Sequence, residues 1–120
     1  MSFNQNKESK TWIRIVTALL ILKIIKKQST YGNQIAEEIK RNTQQTIQAN
    51  PNFLYPLLRK MEEEGYLEGN WENPRTRNKR IYTITQSGCS YLLVLKEAVR
   101  AKFLEIERRQ QAIGKFLFDE

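Results

Sequence analysis

A mainly α-helical chain carrying one small β-hairpin is the fold class this sequence predicts, on three observations. Residues 11–27, TWIRIVTALLILKIIKK, contain no Gly or Pro, and 11 of the 14 residues from Trp12 to Ile25 are apolar. Two short strand-like runs, YLEGNWEN and RIYTIT, flank a turn-rich basic segment, NPRTRNK. From Thr85 onward there is no proline, and apolar residues recur at helical spacing to the end.

The first helix is apolar most of the way round, which predicts burial on more than one side, against the core and against another subunit. Its length favours a helix over a buried strand. In the second segment, STYGNQIAEEIKRN, Ser29 or Thr30 can cap a short helix ending near Asn42, with Ile35, Ala36 and Ile39 on one face. A polar stretch, TQQTIQ, leads to a third helix that starts at Asn50 or Asn52 and stops at Gly65, a residue suited to a left-handed cap. The two strands and their basic tip follow. Thr85 then caps a last helix reaching about Phe116. Helix, helix, helix, strand, basic tip, strand is the order of a winged helix-turn-helix. The expected organisation is a polar N-terminal arm over 1–10, a winged helix-turn-helix over 11–85 and a dimerisation helix over 86–120.

The last helix carries a heptad-like stripe of Leu92, Val99, Phe103, Ile106, Ile113 and Leu117, broken by Lys96 and Gln110. A helix of about 30 residues extends ~45 Å and overhangs so small a domain. The expectation is therefore a homodimer built on this stripe together with Trp12 and Val16 of the first helix.

Composition narrows the function classes. At 120 residues, 40% hydrophobic and 28% charged, the chain has enough apolar residues for one self-sufficient core. Twenty Lys+Arg against 13 Asp+Glu give a net charge of +7 and a pI near 9.7, suited to a phosphate-rich partner. There is no histidine, Cys89 is the only cysteine and Asp119 the only aspartate, so these residues cannot supply a metal cage or a Cys/His catalytic pair. No enzyme activity and no cofactor are expected. The lone cysteine suits a reducing cytoplasm. The first apolar run is interrupted by Arg14 and Lys23 and falls short of the ~20 residues a membrane span needs.

Placed on a helical wheel, residues 52–63 gather Leu54, Leu57, Leu58 and Met61 on one side. Asn52, Tyr55, Pro56, Arg59 and Glu63 gather on the other. The N-terminal part of the second motif helix points at base edges in this architecture. Asn52 can then bond adenine and Arg59 guanine, while Tyr55 reaches a phosphate or a thymine methyl. Lys60 flanks this face as a phosphate contact. Arg59–Glu63 and Lys60–Glu64 can pair along the helix, and the acidic triple Glu62–Glu64 is expected to lie away from the DNA. Arg75, Arg77, Lys79 and Arg80 place four cations in six residues around the wing tip, an electrostatic footprint for DNA backbone or minor groove.

YGNQI at 31–35, FLYPLLRKMEEEGYL at 53–67 and KRIYTITQSGCSYL at 79–92 resemble the PadR family of bacterial transcriptional regulators over about residues 12–95. The resemblance implies a homodimeric repressor-type winged helix with first and last helices at the interface, of the subfamily with a single C-terminal helix. It matches the family's two motif tyrosines to Tyr31 and Tyr55 and implies that both lie near the DNA backbone. The chain departs from the family where a small residue commonly precedes LYP and where the wing commonly holds a glycine. Asn52, Phe53 and RTRNK stand there instead.

The expected partners are double-stranded DNA, bound as a pseudo-palindrome by a homodimer, and a second copy of the chain. Trp12, Phe103 and Phe116 could line a site for a small aromatic effector at the dimer interface. A winged-helix adaptor that binds protein and not DNA is the alternative.

Overall fold

The structure, a computed structural model, describes residues 7–119, with side chains from Lys10 onward. Seven elements follow one another: α1 (Lys7–Lys27), β1 (Thr30–Tyr31), α2 (Gly32–Asn42), α3 (Pro51–Glu63), β2 (Leu67–Trp71), β3 (Arg80–Ile84) and α4 (Gln86–Phe118). Helix α1 begins within the stretch expected to be a polar arm; residues 1–6 of that arm lie outside the described residues. Lys26 and Lys27 in its last turn complement the negative end of the helix dipole.

The hairpin is one part of a three-stranded antiparallel sheet in the order β1-β3-β2. Strand β1 pairs Thr30 with Tyr82 and Tyr31 with Ile81. This corrects the expected cap of the second helix. Thr30 lies in a strand and the Ser29 hydroxyl bonds Thr83, so α2 starts at Gly32 behind Tyr31, whose side chain makes no capping bond. Gln44 and Gln45 both adopt left-handed backbone after α2, with φ of 51° and 63°. Ordinary residues enter that region at a cost of about 1 kcal/mol. The Gln45 N–H donating to the Lys40 carbonyl at 2.8 Å helps hold the reversal.

Asn50 caps α3, its side chain accepting from the Phe53 N–H at 3.2 Å, with Pro51 as the first helical residue. Asn52 is therefore the second helical residue and not the cap. The helix ends where expected: Gly65 takes φ 85°, and the Gly65 and Tyr66 N–H groups donate back to Glu62 and Met61 at 3.0 Å. Thr85 caps α4 by accepting from the Gly88 N–H at 3.0 Å, and its hydroxyl donates to the Gly65 carbonyl at 2.6 Å. One threonine thus joins the end of α3 to the start of α4.

The core lies around α1, which packs on α2, β3 and α4. Ile21, Leu22, Ile35, Ile39, Leu54 and Leu58 are essentially inaccessible, and each such burial is worth roughly 1.5–3 kcal/mol. Leu67, Tyr82, Leu92 and Leu95 close it from the sheet and from α4.

Candidate nucleic-acid interface

Burial of Leu54, Leu57, Leu58 and Met61 fixes the roll of α3 and leaves Asn52, Tyr55, Pro56, Arg59, Lys60 and Glu63 exposed, as the wheel predicts. Arg59 has no carboxylate partner among the described residues, whereas Lys60 pairs with Glu64 at 3.5 Å. Tyr55 is pinned: its hydroxyl is 3.2 Å from Asn33 Oδ1. Its ring packs so closely on Gly32 that a Cβ there would stand 2.5 Å from it. The tyrosine therefore bolts α3 to the start of α2 while its edge stays in solvent.

The strands hold an exposed loop, residues 72–79, that carries Arg75, Arg77 and Lys79. The Glu72 N–H donates to the Lys79 carbonyl at 2.7 Å and closes the loop's base. Arg77, with φ 51°, adopts the left-handed conformation that a glycine would take freely. Lys79 Nζ sits 4.7 Å from the centroid of the Tyr31 ring, a cation–π contact that ties the wing to the start of α2.

Between α3 and the wing runs an open cleft of about 660 Å³, lined by Gly32, Tyr55, Arg59, Glu62, Glu63, Trp71, Asn78, Lys79, Arg80 and Tyr82. Of the acidic triple, Glu62 and Glu63 line this cleft, while Glu64 pairs with Lys60. Glu62 is neutralised there by Arg80, at 2.5 Å. That hydrogen bond raises the Arg80 guanidinium further above its ordinary value. Burial, and then the Glu62 charge, push the Tyr82 phenol above its usual range. Sequence reading had not singled out Glu62, Trp71 or Arg80 as an assembly. Strand alternation was the available signal: it puts Arg80 on the face of buried Tyr82, and register sets Arg80 opposite Trp71.

The stripe on α4 divides into two parts. Leu92 and Val99, at 6% and 7% exposure, are buried within the chain itself, next to α1. Trp12 and Val16 are half-buried, and Trp12 meets Phe103 edge to face with centroids 6.0 Å apart. Beyond it Ile106 is half-buried, whereas Phe103, Ile113 and Leu117 are 51–59% exposed. Phe116 lies 13 residues beyond Phe103, about 20 Å along the helix, so the three aromatic residues do not meet within one chain. No helix among the described residues is long and apolar enough to cross a membrane.

Comparison with known proteins agrees with this geometry. The transcriptional regulator PadR-like family matches residues 21–93, which include α2, α3, the sheet and the start of α4. An uncharacterised protein of Lysinibacillus sphaericus is 30% identical over 74 residues, covering 61% of this chain and 68% of that protein. The crystal structure of a Streptococcus mutans UA159 protein superposes with a TM-score of 0.70 at 28% identity, over 82% of this chain and 89% of the other. A PadR family transcriptional regulator from Eggerthella lenta superposes with a TM-score of 0.61 at 26% identity, over 92% and 89% of the two chains. A winged helix-turn-helix whose third helix and basic wing flank one cleft, matched by the family over most of its length, leaves one conclusion: the chain belongs to the PadR-like family of transcriptional regulators.

Proposed function

We propose that the chain is a sequence-specific DNA-binding repressor, not an enzyme, acting in the cytoplasm as a homodimer on a pseudo-palindromic operator. The observation that carries this reading is the pairing of two cationic surfaces. Arg59, on the exposed face of α3, has no carboxylate partner among the described residues, and Arg75, Arg77 and Lys79 stand exposed on the adjoining wing. A bidentate Arg–guanine contact is worth about 1–3 kcal/mol of base discrimination. Wing cations meeting phosphate add affinity that falls with salt, independent of sequence. Tyr31 and Tyr55 flank the same surface, and Asn52 is available to adenine. In the dimer, the two copies of α3 would enter successive major grooves ~34 Å apart. Trp12, Phe103 and Phe116 from two protomers would together wall any aromatic effector site.

Selection of bound sites from a random duplex pool tests the reading, and an inverted repeat is the expected result. Against the selected site, Arg59→Ala should relax base preference at one position per half-site. Arg75→Ala and Arg77→Ala should weaken all sequences alike, each lowering the slope of log K against log salt by about 0.9. Absence of a steep salt slope in the unaltered protein would favour the protein-binding adaptor.

A further inference from the structure

Arg80 is a wing cation, yet its surroundings differ from those of Arg75, Arg77 and Lys79. Its Nη2 lies 2.5 Å and its Nε 3.4 Å from the two carboxylate oxygens of Glu62, a two-pronged pair spanning 18 residues of sequence. The two side chains are 29% and 28% exposed, and among the described residues no other ion pair has both partners so covered. The Trp71 ring covers the guanidinium, 5.2 Å from Cζ to the centroid.

Gly69 forms the floor. A Cβ at that position would stand 2.7 Å from Arg80 Nε and 2.8 Å from Glu62 Oε1. A glycine inside a five-residue strand weakens it, and here the missing side chain is what makes room for the pair. Among the described residues, this pair is also the only side-chain hydrogen bonding between α3 and the hairpin.

We infer that Glu62 and Arg80 form a brace that fixes the wing's angle to α3, so that Arg80 is a positioning residue for DNA recognition and not a phosphate contact. The physical reason is competition. A guanidinium already bonded to both oxygens of a half-buried carboxylate would have to abandon that partner, leaving Glu62 uncompensated in a cleft facing phosphate. The exposed cations further out on the wing carry no such obligation. What the brace supplies is geometry, because α3 and the wing must reach their separate grooves at the same time.

The inference rests on the DNA-binding reading, and a charge swap separates the two. The readout is the ratio of affinity for the selected operator over random duplex, which cancels the unspecific effect of net charge. Glu62→Arg and Arg80→Glu should each lower that ratio by about tenfold, and the double variant, which restores the pair reversed, should recover most of it. Glu62→Gln should lower the ratio as well. A phosphate contact gives the opposite pattern: Glu62→Gln keeps or raises the ratio, the swap fails to recover it, and Arg80→Gln lowers the salt slope by about 0.9. Any of these three results overturns the brace. Amide exchange in the DNA-free protein gives a second readout. The Glu72 N–H, bonded to the Lys79 carbonyl at the base of the wing, should exchange faster in Glu62→Gln and Arg80→Gln and regain protection in the swap. If the protein bound no DNA, the functional reading would fall, and these exchange rates would still decide the brace.

Discussion

Gly88 and Gly114 both lie in α4, and their surroundings set opposite consequences for the same substitution. At Gly88 a Cβ would stand 2.2 Å from the Tyr66 carbonyl oxygen. That oxygen cannot move freely, because it accepts the Thr85 N–H at 3.2 Å and the Tyr66 ring stacks on Tyr91 with centroids 4.1 Å apart. Gly88→Ala should therefore cost about 1–3 kcal/mol through forced separation of α4 from the sheet. At Gly114 nothing lies within 4 Å, and Gly114→Ala should gain up to about 1 kcal/mol from helix propensity alone. Denaturant melts of the two variants check both signs. Gly88 was visible in the sequence as part of YTITQSG, but its reason was not, since the carbonyl it meets belongs to a residue 22 positions earlier.

The elements show where sequence reading works and where it stops. Asn50, Gly65 and Thr85 make capping bonds to residues close in sequence, so the end of α3 and the start of α4 were legible, while the start of α3 stayed open between Asn50 and Asn52. Strand β1 was not legible, because two residues have no periodicity and their pairing partners lie some fifty positions away. The Glu62–Arg80 pair failed for the same reason: i,i+4 rules assign Glu63 and Glu64 to local lysine and arginine partners but say nothing about a strand folding over the helix. Pro56 is the remaining oddity of α3. With Asn50 as cap, it forfeits a bond to the Asn52 carbonyl, two steps deeper than the helix's first bond from Leu54 to Asn50, and its ring sits on the exposed face between Asn52 and Arg59. Pro56→Ala should raise thermal stability by an amount up to the ~3 kcal/mol of an interior proline, while changing operator affinity measured on the same protein. Unchanged binding would reduce the proline to a tolerated irregularity.

At the scale of the whole molecule, the radius of gyration of 17.1 Å exceeds the 13–14 Å or so expected of a compact chain of this length. The excess comes from α4, whose 33 residues span about 50 Å in a body measuring 67 × 31 × 24 Å. The spacing of Leu92 and Val99 in the same register as Phe103, Ile113 and Leu117 made one stripe of what the fold buries at one end and leaves exposed at the other. A seven-residue repeat reports that a face is buried but not against what. The outer part leaves Phe103, Leu104, Ile113, Phe116, Leu117 and Phe118 at least half exposed, more apolar surface than single scattered side chains account for. Sedimentation equilibrium should give twice the 14.2 kDa chain mass. Ile113→Glu with Leu117→Glu should shift that mass toward one chain while leaving the far-ultraviolet spectrum helical, because neither residue belongs to the chain's own core.

The contact of α1 with α4 also has a meaning in time. A ribosome releases α1 first and α4 last, so the helix at the centre of the core waits through the synthesis of every other element before Leu92 and Leu95 arrive to cover it. Until then the nascent chain carries Ile21 and Leu22 without their full cover.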